Sequence, residues 1–172
     1  DYTNTRHNIG FKIIDAINTH FKLSKQKPKF KGLLTTGNIE EKKIYAIKPL
    51  TFMNNSGTAI KELIDYFKID AKDVIVFHDD MDIDFGKIKA KFGGSSAGHN
   101  GIESIDKFIG KEYSRVRIGI GHPKQKKKVN NHVLEDFKED EEEKIKEITE
   151  NIVKQIPTLI DKKMDLFSSK VN

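Results

Sequence analysis

The 172-residue sequence contains no cysteine and no tryptophan, and only four prolines. Without cysteine there is no disulfide framework, no thiolate metal site and no thiol nucleophile. No run approaches the roughly 18 apolar residues that span a bilayer as a helix. The start shows no basic-then-apolar signal segment, and the first residue is Asp1 rather than methionine. The excess of one sign of charge is also small: 31 Lys+Arg oppose 26 Asp+Glu, leaving +5. That balance leans mildly toward polyanionic partners and proves none. One third of the residues are charged and mean hydropathy is −0.58, which suits a soluble cytoplasmic protein. At this length one domain with a real core is the expectation.

What is present alternates between helix and strand. Phe11, Ile14, Ile17 and Phe21 share one face of a helix expected over Phe11 to Leu23. Leu33–Ile39 and Lys43–Ile47 are short and β-compatible, with Gly37-Asn38 and Glu40–Lys42 as turn material. Ser56 or Asn55 can cap a helix carrying Ala59, Ile60, Leu63, Ile64 and Phe67. Val74–Phe77 reads as a buried strand, Gly86–Phe92 as a half-buried strand with a lysine face, and Val116–Ile120 as another apolar strand. Ile102, Ile105 and Ile109 mark a third helix. Pro123–Lys128 reads as a lysine-rich loop. A long helix is expected from about Glu139 to Phe167, kinked or broken by Pro157. The alternation predicts one α/β domain over residues 1–172, a sheet with helices on both faces.

Four clusters place chemically able residues at the ends of apolar elements. They are Thr5–Gly10, Lys48–Gly57, His78–Asp82 and Gly93–Gly101. In open α/β sheets, ligands gather where strands end and helices begin. Each cluster alone also has a plain structural reading. A loop histidine is more often solvated, and His78-Asp79-Asp80 can simply turn a chain. The glycine loop is neither G-x-x-x-x-G-K-(S/T) nor G-x-G-x-x-G, since His99 and Asn100 replace the lysine and hydroxyl. It can be a tight strand-to-helix turn or an anion site. His7, His78 and His99 lack the helical spacing of a zinc pair, and Asp80-Met81-Asp82 lacks the alternation of a calcium loop.

Taken together, the clusters resemble bacterial-type peptidyl-tRNA hydrolase. The family carries T-R-H-N-(V/I)-G-F, K-P-x-T-(F/Y)-M-N-x-S-G, H-D-(D/E)-x-D, G-G-S-x-G-G-H-N-G and R-(L/V)-R-(I/V)-G-(I/V)-G. Here these stand as Thr5–Phe11, Lys48–Gly57, His78–Asp82, Gly93–Gly101 and Arg115–Gly121, in order and over almost the whole chain. The resemblance implies a single domain with a twisted, mixed β-sheet. It also implies hydrolysis of the ester joining peptide to tRNA, with no metal and no organic cofactor. His7 would be the general base on water, Asp79 its orienting partner, and Asn54 and Asn100 the groups that position substrate and water. Tyr2, Phe52, Met53 and His99 would line the substrate side. Lys89, Lys91 and Arg117 would clamp a phosphate near the acceptor end of tRNA. The expected partner is peptidyl-tRNA, the expected compartment the cytoplasm and the expected state a monomer.

The sequence departs from the pattern in places. The family's first strand and its G-x-G-N-P-G loop have no counterpart here, so a domain lacking that strand is expected. Ala97 stands where glycine is usual, Asp84-Phe85 where proline is common, and His132 where an aromatic is common. These departures keep an alternative open, a catalytically weak RNA-binding relative on the same fold.

Overall fold

The computed structural model describes residues 5–123 and 129–172, and Tyr2 and Lys124–Lys128 lie outside them. The elements in chain order are α1 (Ile9–His20), β1 (Lys27–Lys29), β2 (Gly32–Ile39), β3 (Lys42–Pro49), α2 (Ser56–Phe67), β4 (Ile75–Asp80), β5 (Ile88–Phe92), α3 (Asn100–Ile109), β6 (Ser114–Gly119), α4 (Val129–Leu134), α5 (Glu139–Lys154), α6 (Ile156–Ile160) and α7 (Met164–Val171). Short 3-10 turns at Arg6–Asn8 and Met53–Asn55 run directly into α1 and α2. Among the described residues the strands form two three-stranded sheets, β1-β2-β3 and β4-β6-β5, where a single sheet was expected. Contacts group the residues into two compact units that interleave along the chain.

The first unit comprises Asp1–Ala16, Val76–Lys91 and Arg115–Asn172. Its sheet is mixed. Ser114 and Ile120 donate backbone N–H groups to Val74 and Asp80, so β6 runs parallel to β4. Gly93 donates to Tyr113 and Gly119 to Lys87, so β5 runs antiparallel to β6. Ile88, Ala90, Val116 and Ile118 are buried, while Lys89 and Lys91 are exposed, as period-two alternation requires. The outer edge of β5 is closed by side chains of α7 and of Asn172 just after it. Ala90 N–H donates to Ser168 Oγ at 2.9 Å. The Asn172 carboxamide accepts from Ile88 N–H at 2.9 Å and donates to Ile88 C=O at 2.7 Å.

The long helix breaks at the expected place, since the chain leaves helical geometry at Gln155 and Pro157 lies in the first turn of α6; a second break follows Ile160, so the segment is three helices. Proline has no N–H and is tolerated in a first turn. Ile145, Ile148, Ile152, Ile156, Leu159, Phe167 and Val171 are buried along the three. On α1 the buried stripe is Ile9, Ile13 and Ile17, not Phe11, Ile14 and Phe21. Ile17 is common to both stripes, but the helix starts two residues earlier and buries the face that carries Ile9 and Ile13.

The second unit comprises Ile17–Ile75 and Phe92–Ser114. Its antiparallel sheet pairs Lys27 with Leu34 and Leu34 with Ile47. Gly37-Asn38 lies inside β2 rather than in a turn, and Glu40-Glu41 makes the hairpin with φ of 48° and 68°. Tyr45 stacks on Phe67 at 4.0 Å, tying the sheet to α2. Helices α2 and α3 approach backbone to backbone at Gly57, whose N–H donates to Ser104 Oγ at 2.9 Å. A Cβ there would overlap the Ser104 carbonyl.

Candidate active site

In the first unit, His7 sits in a 3-10 turn fixed on both sides. Behind it, Thr5 bridges to Asp136 and Arg6 N–H donates to Glu135 C=O at 3.0 Å. Ahead of it, Gly10 lies on the Phe77 carbonyl of β4, where a Cβ would not fit. That contact sets the turn beside the end of β4. The side chains of His78 and Asp80 leave one face of the strand and Asp79 leaves the other. His78 turns back and shares its Nδ1 proton with the Asp79 C=O at 2.8 Å. Asp79 faces His7, with Nδ1 at 2.9 Å and 3.0 Å from its two carboxylate oxygens. Asp79 is 3% exposed and His7 18%. A carboxylate only accepts, so Nδ1 is the donor. The neutral ring then keeps its lone pair on Nε2. The sequence-based pairing of His7 with Asp79 is thus brought together geometrically.

Asp80 holds Arg117. Arg117 Nε donates to Asp80 Oδ2 at 2.8 Å, and Asp82 N–H donates to Asp80 Oδ1 at 2.8 Å. Asp82 in turn reaches His122 Nε2 at 2.9 Å. The register of β5 against β6 puts Lys89 directly opposite Arg117. Lys89, Lys91 and Arg117 therefore lie on neighbouring strands, the two lysines exposed. Asp80 as the group that aims Arg117 was not foreseen. Its signal is the alternation of β4, which separates the two adjacent aspartates onto opposite faces.

In the second unit, Met53 and the start of α3 meet. A Cβ at Gly101 would fall 2.7 Å from Met53 Sδ. His99 caps α3, its Nδ1 accepting from Gly101 N–H at 3.1 Å and Ile102 N–H at 3.2 Å. Those are two of the donors a helix start leaves without intrahelical partners. Ser56 does not cap α2, since its hydroxyl donates to Met53 C=O at 2.8 Å and so fastens the turn carrying Asn54. Asn54 and Asn100 are exposed. Phe52 stands out from the surface, 84% exposed. The Gly93–Gly98 loop is held by its own bonds, Ala97 N–H to Ser95 Oγ and His99 N–H to Ser96 C=O. Ala97 takes φ 48° there, the left-handed region where its Cβ is a handicap.

An imidazole held by a buried carboxylate on a mixed α/β scaffold is an arrangement that a general base can use. Comparison with known proteins makes this specific. The family model described as peptidyl-tRNA hydrolase matches residues 1–172. The peptidyl-tRNA hydrolase of Pelagibacter ubique (strain HTCC1062) is 74% identical over all of this chain and 92% of its own length. That of Bartonella henselae is 43% identical over 99% of this chain and 89% of its own. The crystal structure of peptidyl-tRNA hydrolase from Acinetobacter baumannii superposes with a TM-score of 0.92 at 31% identity, covering 99% of this chain and 88% of that one. The chain belongs to the peptidyl-tRNA hydrolase family. Among the described residues, no helix is long and apolar enough to cross a membrane.

Proposed function

We propose that this chain hydrolyses the ester between peptide and tRNA in peptidyl-tRNA, with His7 as general base. The observation that carries the residue assignment is the His7 Nδ1 to Asp79 pair at 2.9 Å. Asp79 fixes the ring, so that Nε2 takes a proton from water, and steadies the imidazolium that results. The hydroxide equivalent attacks the ester carbonyl. A tetrahedral oxyanion forms, then expels the ribose oxygen, which takes the proton back from the His7 imidazolium and leaves as the hydroxyl. Asn54 and Asn100 offer exposed carboxamides to hold substrate, water and the oxyanion. A positioned base supplies about 10²–10⁴-fold and one oxyanion donor about 10²–10³-fold. An ester needs no more activated nucleophile, in keeping with a chain without cysteine. Met53, Phe52 and His99 form the peptide side, His99 chiefly by shaping the start of α3. Lys89, Lys91 and Arg117 grip a phosphate of the acceptor end. The reaction draws on no metal or organic cofactor and is assigned to a cytoplasmic monomer that recycles tRNA lost from stalled ribosomes.

The test is release of tRNA from N-acetyl-aminoacyl-tRNA, with the unblocked aminoacyl-tRNA as control. The parent chain is expected to cleave the blocked ester. His7→Ala is expected to lose about 10²-fold or more in kcat while still binding tRNA. Binding by the parent without cleavage would favour an RNA-binding relative. Full activity in His7→Ala would remove His7 from its role.

A further inference from the structure

We propose that Glu141, acting through Arg6, is a positioning residue for His7. The inference rests on the reading of His7 as the base. Arg6 precedes His7 in the same 3-10 turn, and its side chain is 3% exposed. Its guanidinium donates to Glu141 Oε1 at 2.9 Å, to His132 C=O at 3.1 Å and to Glu135 C=O at 3.4 Å. Its ring partner is Phe137, with Cζ 5.7 Å from the centroid. The ion pair to Glu135 is longer, 3.5 Å, and that carboxylate is mostly exposed, so Glu141 is the partner that matters.

Glu141 is itself immobilised. The Oε1 that receives Arg6 also accepts Lys138 N–H at 2.9 Å, at the start of α5. The helix start, the carboxylate and the guanidinium thus form one rigid link to the turn. Consecutive residues of a 3-10 turn project about 120° apart. Arg6 points toward the segment from His132 to Glu141, and His7 toward Asp79. Rotation of the turn would move both side chains, so anchoring Arg6 fixes the approach of the imidazole. The anchor lies 134 positions away in sequence, outside every motif around His7. A guanidinium buried with one carboxylate is costly to leave unpaired. It is bound to the position of α5, and a displacement of about 1 Å at a reacting group can cost on the order of 10²-fold.

The experiment compares Glu141→Ala, Glu141→Gln and Arg6→Lys in steady-state cleavage of N-acetyl-aminoacyl-tRNA. It also records the His7 imidazole resonances by proton–nitrogen NMR in the full chain. Glu141→Ala is expected to lower kcat about 10- to 100-fold, with KM within about twofold, and to shift or broaden the His7 Nδ1–H signal. Glu141→Gln keeps an acceptor for both donors, so it should restore kcat and the signal. Arg6→Lys keeps the charge but loses the fork and should behave like Glu141→Ala. A folded Glu141→Ala with parental kcat and an unmoved His7 signal overturns the proposal. So does a loss in Glu141→Ala that Glu141→Gln fails to restore. If Glu141→Ala does not fold, parental kcat in Arg6→Lys overturns it. If His7→Ala stays active, the base assignment falls, and displacement of the His7 signal in Glu141→Ala would still support the link.

Discussion

Replacing Gly10 by alanine separates two opposed effects on one residue. Gly10 is in the first turn of α1, and intrinsic helix preference favours alanine by up to about 1 kcal/mol. The site opposes it. A Cβ would lie 3.2 Å from the carbonyl carbon of Phe77 and closer still to its oxygen. The oxygen is backbone of β4 and cannot rotate aside. Relief requires the start of α1 to move off the strand by several tenths of an ångström or more. Overpacking of this kind costs about 1–3 kcal/mol, so a net loss of about 1–2 kcal/mol remains. For a chain of this size that is a fall in Tm of roughly 3–7 °C. The displacement has a direction with chemical meaning. His7 stands three residues before Gly10 and Asp79 two residues after Phe77, so the shift stretches the 2.9 Å pair. A loss of about 10- to 100-fold in kcat is therefore expected, with KM for blocked aminoacyl-tRNA little changed. Thermal melting and the cleavage assay read the two effects separately. A Gly10→Ala chain that melts at or above the parent and keeps its kcat refutes the steric argument. One that melts lower with kcat intact refutes the claim that this contact sets the His7–Asp79 distance.

Three further outcomes are expected. Asp79→Asn keeps the shape but offers His7 a weaker acceptor and no charge for the imidazolium; kcat should fall about 10²-fold or more, whereas an unchanged kcat would exclude Asp79 from the reaction. Three phosphate contacts at Lys89, Lys91 and Arg117 predict a log–log salt slope for tRNA binding of about −2 to −3, and each single alanine variant should shallow it by nearly one. If Lys89→Ala and Arg117→Ala leave both slope and affinity at parental values, the phosphate lies elsewhere. Ile152→Ala removes a fully buried side chain and should cost about 2–5 kcal/mol, seen as a drop in Tm of roughly 5–15 °C with kcat retained below the transition.

The parts legible in the sequence are those governed by local period and by local motif. The alternation of Lys87 to Phe92 reported a strand with one lysine face, and β5 has that face. The spacing of Ile102 and Ile105 reported the buried side of α3. The histidine and the aspartate of two separate motifs lie 2.9 Å apart. What failed depended on context that no short window holds. The α1 stripe was misassigned because Phe11 and Ile14 are as apolar as Ile9 and Ile13, and only the neighbours decide which pair is buried. Gly37-Asn38 has turn chemistry, yet β3 pairs across it and Glu40-Glu41 accept the strained φ values. The three-residue strand β1 has no hydrophobic run to announce it, only Lys27-Pro28-Lys29. Arg6 was visible as a letter in a motif, but its partners come from α4, α5 and the segment between them, more than a hundred residues away.

The seal on the outer edge of β5 has a consequence for how this protein behaves in a crowd. Strand edges recruit other strands because they present N–H and C=O groups in a regular row. Here the side chains of Asn172 and Ser168 fill that row at Ile88 and Ala90, imitating a fourth strand that ends after two rungs. A hydroxyl and a carboxamide cannot pass the pattern on to the next molecule. The strand that bears Lys89 and Lys91 can thus keep an exposed, basic face without becoming a template for copies of itself.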